Sequence, residues 1–202
     1  MTAVHGSPSG RAVRLRLRRS LTVAERGANL LERKLTILLG TRDRLSVAER
    51  HTGESWRAKL SEAETWLLRG RVLGGERMAE TAWSEIGTAE ITVAWVTLMG
   101  VRYPAHTACA IPLRAETGFS PGNTALVNAE QSYREALQAA ADHAAALLAA
   151  RRVENEIRRA RRRVRALRRH WIPRLDDALK ACELGLEQQE LDEAARRRKA
   201  FG

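Results

Sequence analysis

A chain of 202 residues with 44% hydrophobic, 29% charged and only 4% aromatic content suits long exposed helices better than a thick core, and no run of 18 apolar residues offers a membrane span. Thirty-five Lys and Arg against 24 Asp and Glu give a net charge of +11, which suits nucleic acid, an anionic membrane surface or an acidic protein partner without choosing among them. Cys109 and Cys182 stand far apart without CxxC spacing, so neither a disulfide framework nor a zinc site is indicated, and a reducing cytoplasm is the default.

Residues 1–10, with two Gly, a Pro and two Ser, read as a mobile leader, and the basic first 20 residues lack the apolar run of a signal peptide. The N-terminal coiled-coil helix is placed at 11–75. Steps of four and three from Leu17 give Leu21, Ala24, Ala28, Leu31, Leu35 and Leu38, an unbroken apolar seam with the 3.5-residue period of a coiled coil. Arg42, Glu49, Thr52 and Lys59 then interrupt Leu45, Trp56, Ala63, Trp66 and Leu73 in the same register, and Gly70, Gly74 and Gly75 offer a bend or an ending.

A middle insert at 76–119 changes character. The β-branched run Ile91–Thr97, followed by Gly100 and Pro104, predicts one or two short strands. The stretch GFSPGNT at 118–124 then supplies turn residues, with Ser120 before Pro121, Asn123 and Thr124 as candidate caps for a second helix in the C-terminal segment 120–202.

The second seam runs through Tyr133, Leu137, Ala140, Ala144 and Leu147. After a one-residue slip it continues through Val153, Ile157, Ala160, Val164, Leu167, Trp171, Leu175, Leu179, Cys182 and Leu186. Four-residue steps from Leu167 to Leu179 form a stutter, and Pro173 within them predicts a kink. Two seams at opposite ends of one chain pair most simply with each other. The expected fold is therefore mainly α: a long antiparallel two-helix coiled coil with a small mixed α/β insert. Helices of about 70 residues would make a rod on the order of 100 Å long.

No convergent chemistry is visible. His5, His51, His106, His143 and His170 are scattered, and the sequence has no HExxH, GxSxG or GxxxxGK[ST] pattern, so no catalytic site, metal or cofactor is expected. Trp56 and Trp66 lie at seam spacing and read as packing residues. The arginine-dense run Arg158–Arg169 is either a basic collar for acidic neighbours or a solvated helix face whose stems flank the seam. No aromatic platform or base-reading motif accompanies it, so nucleic acid is not the expected partner, and a basic coiled-coil scaffold or a DNA-associated protein stands as the alternative.

The segments Arg16–Leu21 and Ala24–Lys34 resemble the N-terminal helix of the D subunit of V/A-type rotary ATPases. Arg161–Leu167 followed by Trp171-Ile172-Pro173-Arg174-Leu175 is similar to that family's basic segment and its Ile-Pro-Arg-Leu element. Leu186–Glu190 with Arg196–Lys199 resembles its acidic-then-basic tail, and Gly100–Pro104 its Gly-Val-basic-x-Pro element. The sequence departs at Arg165, where the family usually has Asn, and near Arg168, where it usually has a carboxylate. The resemblance implies a non-catalytic central rotor shaft, peripheral on the cytoplasmic face of the cell membrane, that couples ATP synthesis or hydrolysis to ion transport. Its implied partners are the nucleotide-binding subunits of the catalytic ring, a small central-stalk companion subunit and a subunit linking to the membrane rotor. The seam is represented by Leu17, Leu21, Leu31, Leu35, Leu38, Ile157, Val164, Leu167, Leu175 and Leu186. Candidate partner contacts are Arg26, Arg162, Arg163, Arg174, Trp95, Val101 and Pro104.

Overall fold

The computed structural model describes residues 10–84, 87–112 and 122–200. Residues 1–9 of the expected leader, and the candidate caps Ser120 and Pro121, lie outside the described residues. The elements in chain order are α1 (Arg11–Ser84), β1 (Glu90–Leu98), β2 (Val101–Ala110), α2 (Thr124–Ala166), a π turn (Leu167–Trp171) and α3 (Ile172–Ala200). The fold is mainly α, with one two-stranded antiparallel sheet in the middle. The chain divides at Ile37/Leu38 and Glu156/Ile157: unit 1 holds the two ends, and unit 2 the intervening Leu38–Glu156.

In unit 1 the start of α1 runs antiparallel to α3 and the end of α2. Arg11 pairs with Glu190 (3.5 Å), Arg18 with Glu183 (2.6 Å) and Glu32 with Arg168 (3.0 Å), so the partner number falls as the α1 number rises. Ala24 and Ala28 are buried on α1, and Ile157, Ala160, Leu179 and Cys182 on the opposing helices. Small residues at these points let the helix axes approach, which confines the core to a narrow line.

The π turn shifts that line by one residue. The Ile172 N–H donates to the Leu167 carbonyl five residues back, where an α-helix would bond four back. The extra residue carries the seam from half-buried Leu167 to half-buried Ile172 and then to Leu175. Trp171, expected in the seam, is instead 55% exposed. A wider turn ahead of Pro173 also relieves the clash of the proline ring with the carbonyl four residues earlier. The irregularity expected as a kink at Pro173 is thus a π turn just before it.

In unit 2 the pairing is again antiparallel. Arg42 faces Glu154 (4.0 Å), Thr52 Oγ1 lies 3.4 Å from His143 Nδ1, Lys59 faces Glu135 (3.7 Å), and Asn123 Nδ2 donates to the Gly70 carbonyl (3.1 Å). Gly70 is required by close approach, since a Cβ there would stand 2.5 Å from Leu126 Cδ2. Helix α2 is capped by Asn123, whose Oδ1 accepts from the Leu126 N–H at 2.8 Å, satisfying a donor that the first helical turn leaves orphaned.

Helix α1 is interrupted by a kink at its glycine cluster, where a bend or an ending is expected. Gly75 alone leaves helical geometry, at φ 78° and ψ 170°, a left-handed region open to glycine. The helix then resumes to Ser84 because Met78, Ala79 and Ala82 pack with Leu67 and Leu126. Leu73, expected in the seam, is 71% exposed. On α2 Ala129, Ala136 and Ala139 are buried and Tyr133, Ala140 and His143 half-buried, whereas Leu137 and Ala144 are exposed. A polar residue therefore holds a seam position. It does so because the His143 ring stacks on Trp56 (centroids 5.6 Å apart, 16° between planes) over Gly53.

The two strands meet in a two-residue turn with Met99 at φ 51° and Gly100 at φ 78°, the doubly left-handed type I′ geometry that matches strand twist. Methionine is a poor occupant of that position. Met99→Asn should raise stability by about 0.5–1 kcal/mol, measured as a higher denaturation midpoint at unchanged slope. In the ladder Ala94 pairs with His106 and Trp95 with Pro104, so Ala105 is an extra residue on β2. This bulge and Pro104 sit together, as expected for a residue with no N–H to donate.

Candidate interaction surfaces

The first surface lies on unit 1. Arg26, Arg162, Arg163 and Arg174 are all exposed there, and Arg16, Arg19, Arg161, Arg165 and Arg169 join them. Arg168 is engaged within the chain. Its Nε and Nη2 each donate to a Glu32 carboxylate oxygen at 3.0 Å, and Nη2 also donates to Asn29 Oδ1 at 2.6 Å. This two-pronged pairing suits the planar guanidinium. The hydrogen bond from Arg168 holds the Glu32 carboxyl below its ordinary value of 4.5, and the same bond raises Arg168. The partners of Arg168, 136 and 139 positions away, become visible only once the helices are paired.

A carboxyl whose folded-state value is lowered stabilises the fold above its unfolded value and loses that contribution as pH falls through the folded value. The stability gap between the native chain and Arg168→Met should therefore be present at neutral pH and close in acid. Urea titrations across that range check it, and a gap independent of pH would contradict it.

Beside Arg168, an open groove of about 480 Å³ is lined by Arg19, Ser20, Val23, Ala24, Gly27, Leu167 and Trp171.

The second surface is the hairpin of unit 2. Of the residues anticipated as partner contacts there, Trp95 is 39% exposed while Val101 and Pro104 are buried. The side facing solvent is instead β1, where Ile91, Val93, Val96 and the adjoining Met99 are exposed. Strand β2 is tied to α2: Thr107 Oγ1 donates to Asp142 Oδ1, the Cys109 N–H donates to Gln138 Oε1 (3.2 Å), and Arg152 Nη1 donates to the Arg102 carbonyl (3.0 Å). Trp95 carries two guanidinium groups, with Arg102 at 5.2 Å and Arg152 at 4.8 Å from its ring centroid, a cation–π arrangement.

Of the remaining seam residues, Leu38 and Ile157 are fully buried, whereas Leu17, Leu21, Leu31, Leu35, Val164, Leu175 and Leu186 are half-buried. Among the described residues no group of three His, Cys, Asp or Glu is placed to hold a metal ion, and no helix is long and apolar enough to cross a membrane.

Known proteins share this pattern over most of its length. The chain is 29% identical over 180 residues to the D subunit of the A-type ATP synthase of Pyrococcus horikoshii, covering 87% of this chain and 84% of that protein. It is 29% identical over 185 residues to the protein of the same name in Methanopyrus kandleri (90% and 80% covered), and 26% identical over 189 residues to that of Methanoregula boonei (92% and 90%). Residues 14–201 match the ATP synthase D-subunit family, and the chain belongs to that family.

Proposed function

We propose that this chain is the non-catalytic central shaft of a V/A-type ATP synthase or ATPase, peripheral to the cytoplasmic face of the cell membrane, coupling ATP turnover in a catalytic ring to ion passage through a membrane sector. The reading rests on one observation above the others: both chain ends pair antiparallel within unit 1, while the only sheet among the described residues belongs to unit 2. In this reading unit 1 enters the ring of nucleotide-binding subunits with its exposed arginines. Unit 2 carries the small companion subunit and the subunit that links to the membrane rotor.

No reactive group is needed for such a role. Paired helices resist bending, and exposed guanidinium groups allow a shaft to rest against successive acidic ring surfaces through screened, low-specificity contacts. An asymmetric shaft makes chemically equivalent sites around it unequal at any instant. Gentle detergent extraction of membranes carrying a tagged chain should yield the nucleotide-binding subunits in fixed proportion. Recovery instead with DNA, lost steeply with rising salt, would favour a DNA-associated scaffold.

A further inference from the structure

We infer that the outer edge of β1 is a strand-addition site, taking an extended, carboxylate-bearing segment of a partner subunit within the assembly described under Proposed function, on which this inference rests. The argument starts from the hydrogen-bond alternation of an antiparallel pair. Residues directly opposite each other either exchange both backbone bonds or both point their amides away from the pair. The Cys109 N–H and the Arg102 carbonyl are taken by Gln138 and Arg152 of α2, so these β2 groups point outward. Their opposites are Ile91 and Thr97, which must then direct their own N–H and C=O away from β2, on the free side of β1. By alternation and the register across the bulge, Val93 opposite Thr107 and Trp95 opposite Pro104 do the same. Pro104 has no N–H to give β1, which agrees with that assignment.

One edge of the hairpin is therefore closed by α2 and the other is open among the described residues. Eight of the nine residues of β1 are exposed, and its sequence, EITVAWVTL, contains neither Lys nor Pro, the residues that ordinarily block an edge strand from pairing. Partner chemistry follows from the flank: the Trp95 ring holds the Arg102 and Arg152 guanidinium groups, so the side chain that an incoming strand places opposite Trp95 shares a face of the sheet with two cations. A second copy of this chain, at net charge +11, would bring like charges together there; an acidic segment would not. Backbone bonds would supply affinity, and the exposed Ile91, Val93 and Val96 would set the side-chain pattern.

Amide hydrogen exchange, resolved to single residues on the full chain alone and within the purified ATP synthase complex, tests this. In the free chain Ile91, Val93, Trp95 and Thr97 should exchange freely while the inward amides of the hairpin are protected; in the complex the four should slow by on the order of 100-fold. Val93→Pro, which removes an outward N–H and leaves the hairpin's own ladder intact, should lower occupancy in the complex by about tenfold. The double variant Arg102→Gln, Arg152→Gln should lower it too, and unchanged occupancy there would overturn the carboxylate assignment. Protection already present in the free chain, whether from its own residues 113–120 or from a second copy as dilution would reveal, overturns the inference. So does free exchange in a complex that contains the chain. Absence of the chain from the complex would instead overturn the proposed function itself, and this inference with it.

Discussion

Ile157→Asp should abolish helix pairing in unit 1, with a loss of more than about 4 kcal/mol, whereas Leu35→Asp should cost roughly half of that or less. Ile157 is fully buried and Leu35 only half-buried, so the new carboxylate at Leu35 can still reach water. The contrast is more informative than either variant alone. Both are apolar seam residues, and a generic coiled-coil reading would make them equal. Thermal unfolding followed by circular dichroism measures it, and equal losses would show that burial along the seam does not set the energetics.

Removing the tail from about Glu190 onward should lower coupled ATP turnover several-fold while leaving the chain attached to the membrane sector and its unfolding temperature nearly unchanged. Every described residue from Glu187 on is exposed, and Arg11 loses only an exposed ion pair with Glu190, a kind of contact worth little. Deleting Glu90–Cys109 should have the reverse effect, releasing the chain from the membrane sector. Sedimentation with membranes, together with inhibitor-sensitive ATPase activity, separates the two outcomes. Release by the tail deletion and retention by the hairpin deletion would reverse the assignment of unit 1 to the ring and unit 2 to the membrane rotor.

The seam of α1 was legible because its spacing outlasts its chemistry: Arg42, Glu49, Thr52 and Lys59 are half-buried at the positions the period assigns to them, their aliphatic or short side chains lying along the interface. The seam of α2 was less so. Among many alanines, hydrophobicity distinguishes Ala136 from Leu137 in the wrong direction, and nothing local announces that His143 can be accommodated by Trp56 and Gly53. The π turn escaped as well, since the energy of one extra backbone residue depends on the partner helix and leaves no mark in periodicity beyond the wide steps around Pro173. Strand composition revealed the hairpin but not its orientation. Whether β1 or β2 lies against α2 is decided by Gln138, Asp142 and Arg152, all far away in sequence, so composition points to Val101 and Pro104 as partner contacts although both are buried.

The central claim is that this chain turns within a ring of nucleotide-binding subunits. With that ring fixed to a surface and a bead attached through a Met99→Cys variant lacking Cys109, ATP should drive unidirectional full turns of the bead, and these should stop when Ile157→Asp disrupts the helix pair. A bead that stays still, or only fluctuates, while the ring hydrolyses ATP at its normal rate would contradict the account.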